Sequence, residues 1–142
     1  MDILEHVESD IEFLKKWVKI SQPGNYFIFT VPAFKFLWSS HDIFLEHKRR
    51  YKLKDIEGVV SLCGLKVIKG GYFFTTILPF VFFVRRILES LCKHLKIYQY
   101  QRINPLNPFL NYFLKFILRI EIKIGPCNHI LGLSCIVVAV KP

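Results

Sequence analysis

The residues with the most chemistry in this chain lie between Thr30 and Tyr51, in the stretch TVPAFKFLWSSHDIFLEHKRRY. Within fourteen positions it carries Trp38, His41, Asp42, His47, Arg49, Arg50 and Tyr51. Imidazoles can take and give protons near neutral pH. Two adjacent arginines can pair with an anion such as a phosphate or carboxylate, and Tyr51 can stack or donate a hydrogen bond. The bland reading of the same residues is a surface loop in which Asp42 pairs with an arginine and the rest is solvated. A metal site built from His41, Asp42 and His47 fits no common ligand spacing, so no metal is expected.

These groups need a frame. The run NYFIFT, Asn25 to Thr30, precedes them and has aromatic and β-branched residues on both faces, which predicts a central, fully buried strand through Val31, broken at Pro32. Polar groups just beyond the end of such a strand lie where open α/β sheets hold ligands. Ahead of it, Ile11, Leu14, Trp17, Val18 and Ile20 recur at helical spacing from Glu8 to Ile20, with Ser9 as N-cap and Glu12 three residues on. Gln22, Pro23 and Gly24 then mark a turn.

After the central stretch, Leu53, Ile56, Val59, Val60 and Cys63 form one apolar side of a helix over Lys52 to Cys63, closed by Gly64. Leu65 to Phe74 reads as a strand with a bulge or bend at Gly70 and Gly71. Tyr72 to Val84 is apolar apart from two threonines and ends at Arg85 and Arg86; it is too short to span a bilayer, which takes about 20 apolar residues. It reads as a core helix or an interfacial segment. Phe109 to Ile124 predicts a helix with Lys115, Arg119 and Lys123 on one stripe above an apolar body, either an interfacial helix or a surface helix with a solvated edge. Leu131 to Val140 is a last buried strand.

The totals narrow the function classes. The 142 residues suggest one domain, and 52% hydrophobic content with 14 Phe excludes disorder. A net charge of +9 favours acidic partners. Because the basic groups sit beside apolar segments, an anionic membrane surface is the expected partner; the aromatic-and-basic patterns of RNA-binding modules are missing, which leaves nucleic acid the weakest reading. Cys63, Cys92, Cys127 and Cys135 are widely spaced, with no CxxC pair, and fit a reducing, cytoplasmic setting; the basic and apolar segments add the expectation of peripheral attachment at the inner membrane surface. The acidic start (Asp2, Glu5, Glu8, Asp10) is unlike a signal peptide.

Taken in order, MDILEHVESD (Met1 to Asp10), QPGNYFIFTVPAF (Gln22 to Phe34), LWSSHD (Leu37 to Asp42), HKRRY (His47 to Tyr51), CGLKVIKGGYF (Cys63 to Phe73) and LGLSCIVVAVKP (Leu131 to Pro142) resemble the C-terminal half of class I S-adenosylmethionine (SAM)-dependent methyltransferases. The resemblance implies an α/β chain, an incomplete Rossmann-like fold whose mostly parallel, mixed sheet has one reversed strand. Asp2 to Val7 would end the fourth strand, and Asn25 to Val31, Leu65 to Phe74 and Leu131 to Val140 would be the fifth, sixth and seventh. It implies a single partial domain over 1–142, with an apolar and basic helical cap at about 75–124.

It also implies SAM as cofactor, with Asp2, Glu5 and His6 on the cofactor's far side. His6, His41 and Asp42 would be the catalytic groups, and His47, Arg49, Arg50 and Tyr51 would hold the methyl acceptor, lipid-linked or anionic. The family's glycine-rich turn, which lets backbone N–H groups approach the cofactor, has no counterpart among Gly24, Gly58, Gly64, Gly70, Gly71, Gly125 and Gly132. The chain therefore reads as a truncated or partner-completed methyltransferase, or as a non-catalytic remnant serving as a binding or membrane-surface module. An apolar edge at Tyr26 to Val31 predicts self-association or a complementary N-terminal half.

Overall fold

The computed structural model describes residues 3–83, 86–87, 107–124 and 128–142. Asp2, Arg85, Cys92, Cys127 and the expected cap at 84–85 and 88–106 lie outside the described residues.

Helix α1 (Asp10–Ile20) starts where its sequence says it should: the Ser9 hydroxyl accepts from the Glu12 N–H at 3.4 Å, and Asp10 and Glu12 lie in its positive first turn. Its buried apolar stripe is narrower than the spacing suggests. Leu14 and Val18 are buried, while Trp17 and Ile20 face outward. At its other end the Lys141 ammonium donates to the carbonyls of Val18 and Ser21, both at 2.7 Å, satisfying acceptors the last turn leaves open. Gly24, at φ 84°, then turns the chain into strand β1 (Tyr26–Pro32).

Strand β1 is not the fully buried central strand the sequence predicts. Phe29 and Val31 are buried on one face, but Tyr26 is 70% exposed and Ile28 54% on the other. The central position belongs to β3 (Ser134–Val140), which lies between β1 and β2 (Lys66–Phe73) and runs antiparallel to both. The two outer strands therefore point the same way and the middle one is reversed. Strand β1 ends at Pro32, one residue later than expected, with Pro32 still paired to Ser134. The Pro32 carbonyl accepts from the Tyr51 N–H at 2.9 Å, Ala33 bridges Tyr51, and the chain turns at Phe34, φ 52°.

Helix α3 (Leu53–Leu62) crosses the sheet face that carries Phe29, Val31, Cys135, Val137 and Ala139, and with α1 it covers the core. Its N-terminus is held by an acceptor from the strand beneath, the Tyr72 hydroxyl, 3.0 Å from the Leu53 N–H. It ends at Gly64, φ 84°, with the Leu65 N–H returning to the Val60 carbonyl at 3.3 Å. The irregularity in β2 falls at Ile68, between Val67 and Lys69, rather than at the glycine pair. Gly70 serves close approach instead. A Cβ there would stand 2.3 Å from Glu57 Oε1 and 3.2 Å from Leu53 Cδ1, both on α3.

Beyond β2, helix α4 occupies 78–83 and buries Leu78. Helix α5 (Pro108–Ile124) is tied back to the β2–α4 turn by Glu121, whose carboxylate accepts from the Thr75 N–H and the Thr76 hydroxyl at 2.7 Å each. Its outer side carries exposed Phe109, Tyr112, Phe113, Phe116 and Ile120 beside Lys115, Arg119 and Lys123. Among the described residues no helix is long and apolar enough to cross a membrane.

Candidate functional site

Past the carboxyl end of β1 the chain makes a 3₁₀ turn (Lys35–Leu37) and a short helix, α2 (Ser40–Phe44), and returns through residues 45–51. A loop of this length needs an anchor, and Asp42 provides it. Its side chain is fully buried. The Ser39 N–H and hydroxyl donate to Oδ2 at 2.9 and 3.1 Å, which caps α2. Arg50 grips the same carboxylate with two prongs, Nε to Oδ1 at 2.8 Å and Nη2 to Oδ2 at 3.0 Å, while its Nη1 donates to the Ala33 carbonyl at 2.8 Å. Asp42 and Arg50 thus fasten the loop to the end of β1.

Burial alone would raise the pKa of Asp42. The bonds from Arg50 and His47, the Arg50 charge and the Ser39 N–H outweigh it and hold the group at about 2. As a carboxylate Asp42 only accepts hydrogen bonds. His47 Nδ1, 3.0 Å from Oδ1, must therefore carry the proton in that contact, and Nε2 is the nitrogen that remains.

A second strap joins this loop to the turn before α1. The Lys48 N–H donates to the Glu5 carbonyl at 2.7 Å. The Tyr51 hydroxyl reaches the Leu4 carbonyl at 3.2 Å and Asp10 Oδ2 at 2.8 Å. Burial first, then the bond to Asp10 and its charge, push the Tyr51 phenol far up, so it stays neutral. Arg49 donates to the carbonyls of Val7 and Glu8 and pairs with Asp10 at 3.3 Å, and the Lys48 ammonium pairs with Glu8.

The strap brings Glu5, His6 and His47 together. The two imidazole rings meet edge to face at 4.9 Å, and one ligand atom from each of the three residues lies within 4.8 Å of the others. Glu5 is buried, His47 half-buried and His6 exposed.

The residues expected to act thus separate into two groups. Glu5, His6 and His47 share one open-sided cluster. Asp42, Arg49, Arg50 and Tyr51 are engaged in fastening the loops that form it. His41 lies on the exposed side of α2, outside the cluster. No single segment of sequence signals the cluster, because 41 positions separate His6 from His47. The structural contribution of Tyr72 to α3 also has no signal in the sequence.

No family model matches the chain, and no curated protein matches it. Among solved structures it is similar to a SAM-dependent methyltransferase from Archaeoglobus fulgidus, with a TM-score of 0.50 and 14% identity over 99% of this chain and 56% of that one. It also matches phosphoethanolamine N-methyltransferase 2 of Haemonchus contortus in complex with S-adenosyl-L-methionine, with a TM-score of 0.49 and 16% identity over 99% of this chain and 32% of that one. The chain spans a little over half the length of the first and about a third of the second. The fold is thus α/β with a small antiparallel sheet, resembling that of SAM-dependent methyltransferases.

The residues described do not by themselves make a cradle for SAM. The two glycines with positive φ, Gly24 and Gly64, follow the helices α1 and α3 rather than opening a helix after a strand. Backbone N–H groups directed at a methionine carboxylate are therefore not provided at either position.

Proposed function

We propose that this chain supplies the acceptor side of a SAM-dependent methyltransferase and that the cofactor is held mainly by a separate N-terminal part. The single observation that carries this is the fold likeness to the Archaeoglobus methyltransferase together with a polar cluster at the carboxyl end of β1. In this reading β1, β2 and β3 are the fifth, sixth and seventh strands of the complete sheet, and the order β1-β3-β2 supports the assignment. The complement would seat against β1, where Tyr26 and Ile28 present apolar surface.

Within the site, the chain's own residues orient the acceptor and handle its proton. His6, exposed beside His47, is the proton acceptor, and Glu5 lines the pocket from its buried side. Asp42 is a positioning residue, acting through the hydrogen bond it accepts from His47 Nδ1–H. Arg49, Arg50 and Tyr51 keep the pocket's two walls together. The basic, apolar α5 suits a lipid-linked or otherwise anionic acceptor. That helix also supports a second reading, a non-catalytic relative of these enzymes acting at a membrane surface.

The test is calorimetric titration with S-adenosylhomocysteine of the protein purified with whatever it assembles with in its own cells. Saturable binding is expected. A folded, assembled sample that takes up none would favour the second reading.

A further inference from the structure

We propose that Glu5, His6 and His47 bind a first-row transition-metal dication, with Asp42 orienting His47 as a ligand. The site stands on four observations that do not depend on any methyltransferase role. First, one carboxylate and two imidazoles, from segments 41 residues apart, converge until their ligand atoms lie within 4.8 Å of one another. Bonds of about 2.0–2.2 Å to one ion put ligand atoms roughly 3–4 Å apart. The convergence is thus within about 1–2 Å of a closed site, and His6, exposed and at a turn, is the group that would swing in.

Second, His47 carries the support that metal-binding histidines need. Its Nδ1–H is held by a buried carboxylate at 3.0 Å, which leaves Nε2 as the nitrogen with a lone pair to offer and makes it a better donor. Asp42 is itself fixed by Arg50 and Ser39, so the ring's orientation is set before any ion arrives.

Third, both sides of the site are tied together at the backbone. The Lys48 N–H to Glu5 carbonyl bond and the Tyr51 hydroxyl to Leu4 carbonyl bond hold the Glu5 turn against the His47 loop. Assembly therefore costs little ordering of the chain.

Fourth, the local charges permit a dication. Three cations of the 48–50 segment each have a carboxylate of their own: Lys48 pairs with Glu8, Arg49 with Asp10 and Arg50 with Asp42. The Glu5 carboxylate is 4% exposed, in surroundings where its attraction for a dication is less weakened by water.

The donor set selects the class of metal. Two imidazoles and one carboxylate suit zinc, cobalt, nickel or ferrous iron better than magnesium or calcium, which prefer all-oxygen shells. Three protein ligands leave at least one position open, as in catalytic rather than closed structural sites. The exposed side at His6 is where an oxygen donor from solvent or from a bound molecule would complete the shell.

The test uses the full chain, stripped of metal with a chelator, dialysed and titrated with Co²⁺ by visible absorption and with Zn²⁺ by calorimetry near neutral pH. The expected result is saturation at one ion per chain, with a cobalt d–d spectrum typical of nitrogen and oxygen ligands. His6→Ala changes an exposed side chain, and Glu5→Gln keeps shape and volume, so both are expected to fold. Circular dichroism checks this, and any variant that has lost the parent spectrum is replaced by His6→Gln. Each should weaken binding by about tenfold to a hundredfold, while His41→Ala leaves it unchanged. Three results would overturn the proposal: no saturable uptake by folded protein, uptake that the folded His6 and Glu5 variants leave unaltered, or a sulfur-to-cobalt charge-transfer band assigning the ion to cysteines.

Discussion

Asp42 is the residue on which the site's geometry turns, and its chemistry makes that measurable. A fully buried carboxylate facing Arg50 leaves an uncompensated charge if one partner is removed. Asp42→Ala should therefore cost roughly 3–5 kcal/mol of stability, more than His41→Ala on the exposed side of α2, both read from urea denaturation. Acid provides an independent check. The folded group titrates at about 2 against an ordinary value of 3.8. Its stabilisation is therefore complete above that ordinary value and is lost as pH falls toward 2, because the unfolded chain binds the proton first. Chemical denaturation across this window should show a loss that Asp42→Asn does not repeat. Cys135 makes a different prediction. Burial, then the charges of Asp55 and Glu57, push its thiol up to about 12. Alkylation of the native protein in mildly alkaline buffer should spare Cys135, and unfolding should expose it, as peptide mass spectrometry would register.

At the scale of elements, the clearest sequence signals were local ones. The Ser9 cap, the apolar side of α3, the Gly64 terminus and the span of α5 were all legible because each depends on residues a turn or two apart. What escaped the sequence was set by distant partners. An apolar run such as YFIFT looks alike whether one face or both are covered, so the exposure of Tyr26 and Ile28 could not be read from it. The glycines show the same limit. Gly70, which the sequence marks as a bulge, makes room for α3, and Gly132, which no sequence pattern singles out, is the more constrained. A Cβ at Gly132 would meet backbone, Phe73 O at 2.6 Å and Phe73 N at 2.9 Å, beside the Leu133 N–H to Phe73 O bond of 2.9 Å that opens the β2–β3 ladder. At Gly70 the closest atom is the movable end of Glu57. Gly132→Ala should thus destabilise by about 1–3 kcal/mol, and more than Gly70→Ala, with the difference seen in thermal melts. The candidate site divides likewise: its residue types stood out in the sequence, but the meeting of Glu5 and His6 with His47 depends on straps at Lys48 and Tyr51 that no spacing reveals.

At the scale of the whole molecule, α5 is an element on which cations and exposed apolar side chains lie side by side. On α5 the residues toward the protein include Leu114, Ile117, Leu118 and Glu121, and the outer surface sets Phe109, Phe113, Phe116 and Ile120 beside Lys115, Arg119 and Lys123. A helix presenting rings flanked by ammonium and guanidinium groups is suited to the boundary of an anionic bilayer, where each cation contributes about 1 kcal/mol and the rings enter the acyl region. In the proposed reading this would bring the site to a lipid-linked acceptor rather than requiring the acceptor to leave the membrane. The protein should then co-sediment with vesicles rich in phosphatidylserine but not with neutral ones. Raising the salt should weaken the binding, because the Debye length shortens. Lys115→Glu with Lys123→Glu should abolish most of it, whereas Phe113→Ser should weaken it at every salt concentration, since apolar insertion is not screened. Equal indifference to both kinds of vesicle would remove the membrane from the account and leave the outer face of α5 to be covered by protein.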